Sequence, residues 1–321
     1  MDKQTLGYFV LSLDTELGTG LFDKDKERAI TFSPDGSRER WAIRSLLDLM
    51  DEYNIQATWA IVGHLFYERC EYCKICPLME WKGKYRSFEE AYGTSHPLWY
   101  GADAVEEICR RQRHDIGFHG YTHKIFNPKT MSKEDAKIEV QEWLRVASRK
   151  GIVPKSVVFP RDKAGHLDVL REYGFICYRT EEPMSIWIRN RYFGAYIKTI
   201  DHLLAISTPP LFTLENIKKD IHGMIAIPAS MHFKGFNWGL ERWLDNAGLH
   251  LLRLRRMVNG IHKAAEQKKI IHFWLHPWEV QTPKDLEKMR YVFQAVAQEI
   301  ERGRMQSITM LDLANKINLS C

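Results

Sequence analysis

Phe-Val-Leu-Ser-Leu-Asp-Thr-Glu, residues 9–16, runs apolar and then ends on two acids, and the reading of the whole chain starts there. Gly7 to Leu13 carries one polar residue, Ser12, so it reads as a buried strand. Asp14 and Glu16 lie two apart, and strand alternation turns both carboxylates to the same side. Acids at the C-terminal end of a buried strand stand where barrel enzymes keep their chemistry. A second stretch, His-Asp-Ile-Gly-Phe-His-Gly-Tyr-Thr-His at residues 114–123, offers nitrogen ligands. Its His119 and His123, four apart, are expected on one face of a helical turn, within reach of one ion. Two imidazoles and a carboxylate around an open position suit a catalytic zinc or a similar divalent ion. The two stretches together point to a metal-dependent hydrolase.

Strand-like and helix-like segments alternate outward from these stretches. Glu39–Tyr53 carries an apolar stripe at helical spacing (Ile43, Leu46, Leu47, Met50), and Ile55–Val62 reads as the next strand. Ala102–Arg113 is predicted helical and Asp115–Phe118 extended. Ser132, with Asp135 three residues on, starts a helix to Lys150. Ser156–Pro160, Leu167–Tyr173, Phe175–Tyr178, Met224–Pro228 and Ile270–Leu275 continue the alternation. A helix at Pro283–Arg302, a strand at Gln306–Ile308 and a helix capped by Thr309 close it. Repeated strand–helix units imply a parallel sheet. Polar candidates at the ends of several strands favour an α/β barrel over an open sheet. The chain, 1–321, is read as a single domain with an irregular insertion at about 64–99. A second irregular stretch spans Glu181–Thr213, and neither has linker composition.

Composition sets bounds on function. The formal charge of +5 over 321 residues is too diffuse to argue for nucleic acid, though it permits an anionic substrate. No apolar run approaches the ~20 residues of a membrane span. Met1 to Thr5 leads straight into the first strand without a secretory signal, so a cytoplasmic location is expected. Six cysteines then read as thiols or ligands and not as a disulfide framework. Cys70, Cys73 and Cys76 are read as reduced thiols packing the insertion, with a structural zinc completed by His64 or His96, or an iron–sulfur remnant, as the alternatives. Arg179, Arg189 and Arg191, like Arg253, Arg255 and Arg256, are read as solvated faces, with phosphate binding by the first group as the alternative.

Five segments, in order, resemble the motifs of the polysaccharide deacetylases, carbohydrate esterases that remove N-acetyl groups from sugars on a distorted (β/α) barrel. Asp14 and Glu16 are similar to the paired acids ending the family's first strand, and Ile55–Gly63 resembles its second strand. Residues 114–123 resemble the histidine motif, Phe159–Asp162 the third motif, and Phe273–Pro277 the final leucine–histidine motif. The chain departs from the family in three places: Thr15 separates the acids, Gly120 stands where a hydroxyl residue is usual, and Arg161 follows Pro160 instead of preceding it. An atypical intracellular branch is therefore expected.

The resemblance implies a divalent ion, expected to be zinc, held by Glu16, His119 and His123. Such an ion lowers the pKa of a water from ~16 towards ~7. Asp14 would accept the water's proton, a backbone N–H near Asp162 would help hold the oxyanion, and His276 would protonate the leaving amine. Arg161 would orient Asp14 and keep it ionised. Asp162, Trp274, His232 and Trp238 are expected to bind substrate. The expected reaction is removal of the N-acetyl group of an amino sugar on a nucleotide- or lipid-linked precursor for surface polysaccharide (O-antigen-like lipopolysaccharide). The alternatives are hydrolysis of another C–N bond, such as a cyclic amide or ureide, and a catalytically silent sugar-binding protein.

Overall fold

A computed structural model describes residues 5–21, 31–69, 97–183, 207–234 and 250–320. Among the described residues nine strands form one parallel sheet around a central first strand, β1 (Gly7–Thr15), which is buried along its whole length. β2 (Thr58–Ile61), β3 (Asp115–Phe118), β4 (Ser156–Val157), β5 (Cys177–Thr180) and β6 (Ile225–Pro228) follow on one side. β8 (Ile270–Leu275) and then β7 (Met231–His232) lie on the other. β9 (Met305–Ile308) pairs with the first half of β1, below the rungs that β1 makes with β2.

The ring is completed by one bend. β6 pairs with β5 and β7 with β8, yet only Ala229 and Ser230 separate β6 from β7. Ala229 N–H donates to the Thr180 carbonyl, and Ser230 N–H donates to that of His272. The extended segment 225–232 thus passes from one edge of the sheet to the other. Counted as one bent strand, it makes a seven-membered ring with β1–β5 and β8, the distorted parallel barrel expected, with β9 as an added partner.

Seven helices accompany the strands among the described residues: α1 (Ser37–Glu52), α2 (Ala102–Arg110), α3 (Lys133–Ser148), α4 (Leu167–Glu172), α5 (His250–Glu266), α6 (Pro283–Glu301) and α7 (Met310–Ser320). Ser132 caps α3 by accepting from the Asp135 N–H, as its spacing predicts. β7 and α5 add to the elements expected from the sequence.

Strand alternation divides the core in two. Phe9, Leu11 and Leu13 of β1 face outward into a large apolar cluster with α1, α3, α5 and α6. Tyr8 and Val10 face inward with Cys177, Ile225, Ile227, Ile270 and Ile308, and α7 seals this inner layer through Met310, Leu313 and Ile317. Following the same inward face toward the strand C-termini, the side chains turn polar: Ser12, then Asp14 on β1, His272 and Trp274 on β8, and Arg179 on β5. The apolar plug fixes the lower end of the barrel and leaves the upper end for chemistry.

Candidate metal centre and cleft

Asp14, Glu16, Gly20, His123, Arg161, Asp162, Trp274, His276 and Trp278 line a cavity of about 260 Å³ at the C-terminal ends of the strands. Glu16 reaches it from just beyond β1. Its Oε2 lies 2.7 Å from His123 Nε2 and 3.3 Å from His119 Nε2, and its Oε1 accepts from Trp278 Nε1–H at 3.1 Å. Gly20 makes room for this carboxylate, since a Cβ there would fall 1.8 Å from Glu16 Oε1.

His119 and His123 do not share a helical turn, as their spacing had suggested. They sit on a loop after β3 in which Gly120 and His123 take positive φ values of 75° and 63°. The loop is shaped by its neighbours. The Glu139 carboxylate on α3 accepts from the N–H groups of Tyr121 (2.7 Å) and Thr122 (3.0 Å) and from the Thr122 hydroxyl. Gly63 and His64 N–H groups donate to the Gly120 and Tyr121 carbonyls. Sequence reasoning missed Glu139, which is fully buried on a helix where most acids face water.

A divalent cation suits this donor set. His119 Nδ1 lies 2.8 Å from the Val158 carbonyl, which can only accept, so Nδ1 carries the proton. In the neutral ring Nε2 then turns a lone pair toward the Glu16 carboxylate, also a lone-pair donor, and a cation between them resolves the opposition. Burial, the largest influence on His123, lowers its pKa and favours the neutral ligand form. Burial opposes ionisation of Glu16, but His276, His123 and His119 outweigh it and hold the carboxyl well below its ordinary range. Glu16, His119 and His123 are all buried and form a candidate metal site.

Asp14 is paired with Arg179, a residue expected on a solvated face. Arg179 grips it with both arms, Nη1 to Oδ1 at 2.5 Å and Nη2 to Oδ2 at 2.7 Å, and also reaches Asp162 Oδ1 at 2.8 Å. Arg179 is 1% exposed, not solvated, because it sits on the inward face of β5 two residues past buried Cys177. Burial would raise the Asp14 pKa, yet Arg179 and the nearby histidines bring it below the usual value. Beneath them, Ser12 Oγ lies 2.9 Å from His272 Nε2 and accepts from Arg179 Nη1. Burial pushes His272 down to about 3, so it stays neutral.

Arg161, expected to hold Asp14, is instead exposed at the cavity wall, with φ and ψ of 55° and 28°. The turn after Pro160 directs its backbone into the left-handed region and puts its side chain at the rim. Asp162 lines the cavity; its carboxylate accepts from Arg179 and its own N–H donates to the Phe159 carbonyl.

His276 Nε2 stands 3.5 Å from Glu16 Oε1 and 4.0 Å from Asp14 Oδ2. Its burial favours the neutral ring, but the carboxylates of Glu16, Glu279 and Asp14 prevail and push its pKa up to about 10. Glu279, unmarked in the sequence, lies three residues on and also accepts from the His276 backbone N–H. Trp274 walls the cleft under a cation–π contact, the Arg179 guanidinium lying 4.2 Å from its ring centre. His232 does not line the cavity. It stacks on Trp274 at 4.1 Å and engages Glu279 at 3.0 Å. Trp238, the three cysteines at 70, 73 and 76, and most of the 64–99 insertion lie outside the described residues.

Residues 23–161 match the family model described as polysaccharide deacetylase. The matched segment carries His119, His123 and Arg161, while Asp14, Glu16 and His276 lie outside it and join through the fold. Among solved structures, one from Mycobacterium smegmatis described as a polysaccharide deacetylase shares 13% identity, with a TM-score of 0.58, over 100% of this chain and 93% of its own. Puue allantoinase shares 12%, with a TM-score of 0.57, over 98% and 91%. A polysaccharide deacetylase from Pseudomonas aeruginosa PAO1 shares 12%, with a TM-score of 0.55, over 96% and 89%. At such identities these likenesses establish the fold. No curated protein matches the sequence. Among the described residues, no helix is long and apolar enough to cross a membrane.

Proposed function

We propose that this chain is a member of the polysaccharide deacetylase family, a metal-dependent N-deacetylase acting on an amino sugar, and that zinc is its ion. The convergence of Glu16, His119 and His123 on a cleft also bounded by Asp14 and His276 carries the reading. When bound, a divalent ion there polarises the amide carbonyl and acidifies the attacking water. Asp14 takes that water's proton. Arg179 occupies two of its roughly four lone-pair sites, which leaves it fixed in place with capacity to accept. His276, held as a cation by its carboxylate neighbours, gives a proton to the departing amine, and the C–N bond breaks to yield acetate and a free amino sugar. Trp274 and Trp278 offer flat apolar walls for a sugar ring.

A nucleotide- or lipid-linked precursor for surface polysaccharide is the proposed substrate form. A cavity of about 260 Å³ suits a single sugar residue, and the exposed Arg161 at its rim suits an anionic carrier. The test is acetate release by metal-loaded protein from a panel of N-acetylated sugars, nucleotide-linked and lipid-linked, with cyclic amides alongside. Acetate matched by free amine, abolished by chelation, is the expected result. Ring opening of a cyclic amide without acetate release would transfer the site to other C–N bonds. Metal binding with no turnover of any member would leave a sugar-binding protein.

A further inference from the structure

Glu279 stands between two imidazoles beside the cleft. Its Oε2 lies 3.0 Å from His232 Nε2 and 3.4 Å from His276 Nδ1, and one donor atom from each of the three residues falls within 4.8 Å of the others. In a tetrahedral site with bonds of ~2.1 Å, ligand atoms sit ~3.4 Å apart. The corresponding separations in the Glu16 cluster are 2.7 and 3.3 Å. The two clusters therefore match in donor chemistry and in spacing.

The donors are also held in place. His232 stacks on Trp274 (4.1 Å, 34°) and His276 on Trp278 (4.8 Å, 33°), so both rings are oriented by indoles before any ligand arrives. Glu279 is buried, the side chains of His232 and His276 keep 19% and 20% exposure, and His276 stands on the cavity wall. We infer that His232, His276 and Glu279 form a second divalent-cation site, for zinc or another borderline ion, weaker than that at Glu16, His119 and His123.

Occupancy has a chemical consequence, resting on the acid role proposed above for His276. A ring whose Nδ1 lone pair binds a cation cannot become an imidazolium, and the Nε2–H it keeps is a far weaker acid toward the leaving amine. Excess metal then inhibits. The binding claim itself stands apart from the acid role.

The test titrates chelator-stripped protein with Co²⁺ and Zn²⁺, reading stoichiometry by calorimetry and the cobalt visible bands. Parent and His232→Ala are compared, both with serine at Cys70, Cys73 and Cys76 so that thiols contribute no sites. His232→Gln serves as a second variant if the first does not fold. The parent should bind two equivalents, the second at least tenfold weaker, and the His232 variants should keep the first and lose the second. Acetate release should fall at high zinc in the parent and hold in the variants. One equivalent in the parent, or two in the variants, overturns the second site. Two equivalents with no inhibition keep the site and remove the acid role of His276. No first equivalent at all counts against the Glu16 centre instead.

Discussion

Arg179→Met removes the guanidinium that joins Asp14 to Asp162 while keeping much of the apolar stem. Breaking a buried pair by deleting one partner costs ~3–5 kcal/mol, because the remaining charge is left uncompensated. Asp14, with its side chain 5% exposed, bears most of that penalty, and Asp162 at 19% can turn partly to solvent. The cost should depend on pH with a definite sign. In the parent the folded pKa of Asp14 is depressed, so its contribution is present above the unfolded value of ~3.9 and is lost as pH falls through the folded value. Without Arg179, burial raises Asp14 instead, and the group destabilises at neutral pH until it takes up a proton. Guanidinium denaturation at pH 7, 5.5 and 4 should therefore show a deficit of ~3–5 kcal/mol at pH 7 that shrinks toward pH 4. Arg161→Met, at an exposed position, should stay within ~0.5 kcal/mol throughout. Equal costs for the two variants, or a deficit for Arg179→Met that ignores pH, would refute the assignment of Arg179 as the Asp14 partner.

Asp14→Asn should bind metal and lose ~10²–10⁴ in kcat, since an amide cannot accept the water's proton; single-turnover acetate release at fixed metal occupancy checks it. With His276 as the acid, the alkaline limb of the rate profile should lie between its ordinary 6.5 and about 10. Glu279→Gln removes one of the charges that raise His276, so that limb should move to lower pH; a limb that stays in place points to another acid. Gly20→Ala pushes a methyl against the Glu16 carboxylate and should weaken metal binding at least tenfold while leaving the thermal midpoint close to the parent, as calorimetry and a melting curve would show together.

The strand–helix alternation was legible because each strand is an apolar run bounded by turn residues, and Asp115–Phe118 and Ile270–Leu275 carry the predicted limits. β7 escaped notice because two residues make too short a signal, yet that bend completes the ring. The His119–His123 spacing was read as helical for want of any local sign that Glu139, sixteen residues beyond His123, shapes a loop there. Arg179 was misplaced for a different reason. Its pattern, Cys-Tyr-Arg on a short strand, puts the arginine on the face of Cys177, but a lone charge suggests solvent until a buried carboxylate is known to await it. Asp14 supplies that carboxylate from 165 positions away, a separation no local pattern encodes. Glu279 was hidden similarly, since its meaning depends on His232, brought alongside by the pairing of β7 with β8.

The central claim is that Glu16, His119 and His123 hold a divalent ion at the mouth of the barrel. Crystals of protein given one equivalent of zinc, measured at the zinc absorption edge, test it directly. A single anomalous peak ~2.1 Å from one Glu16 oxygen and from Nε2 of His119 and His123 is the predicted result. A peak at the cysteines of 70–76, or no bound zinc with those three side chains unchanged, would contradict it.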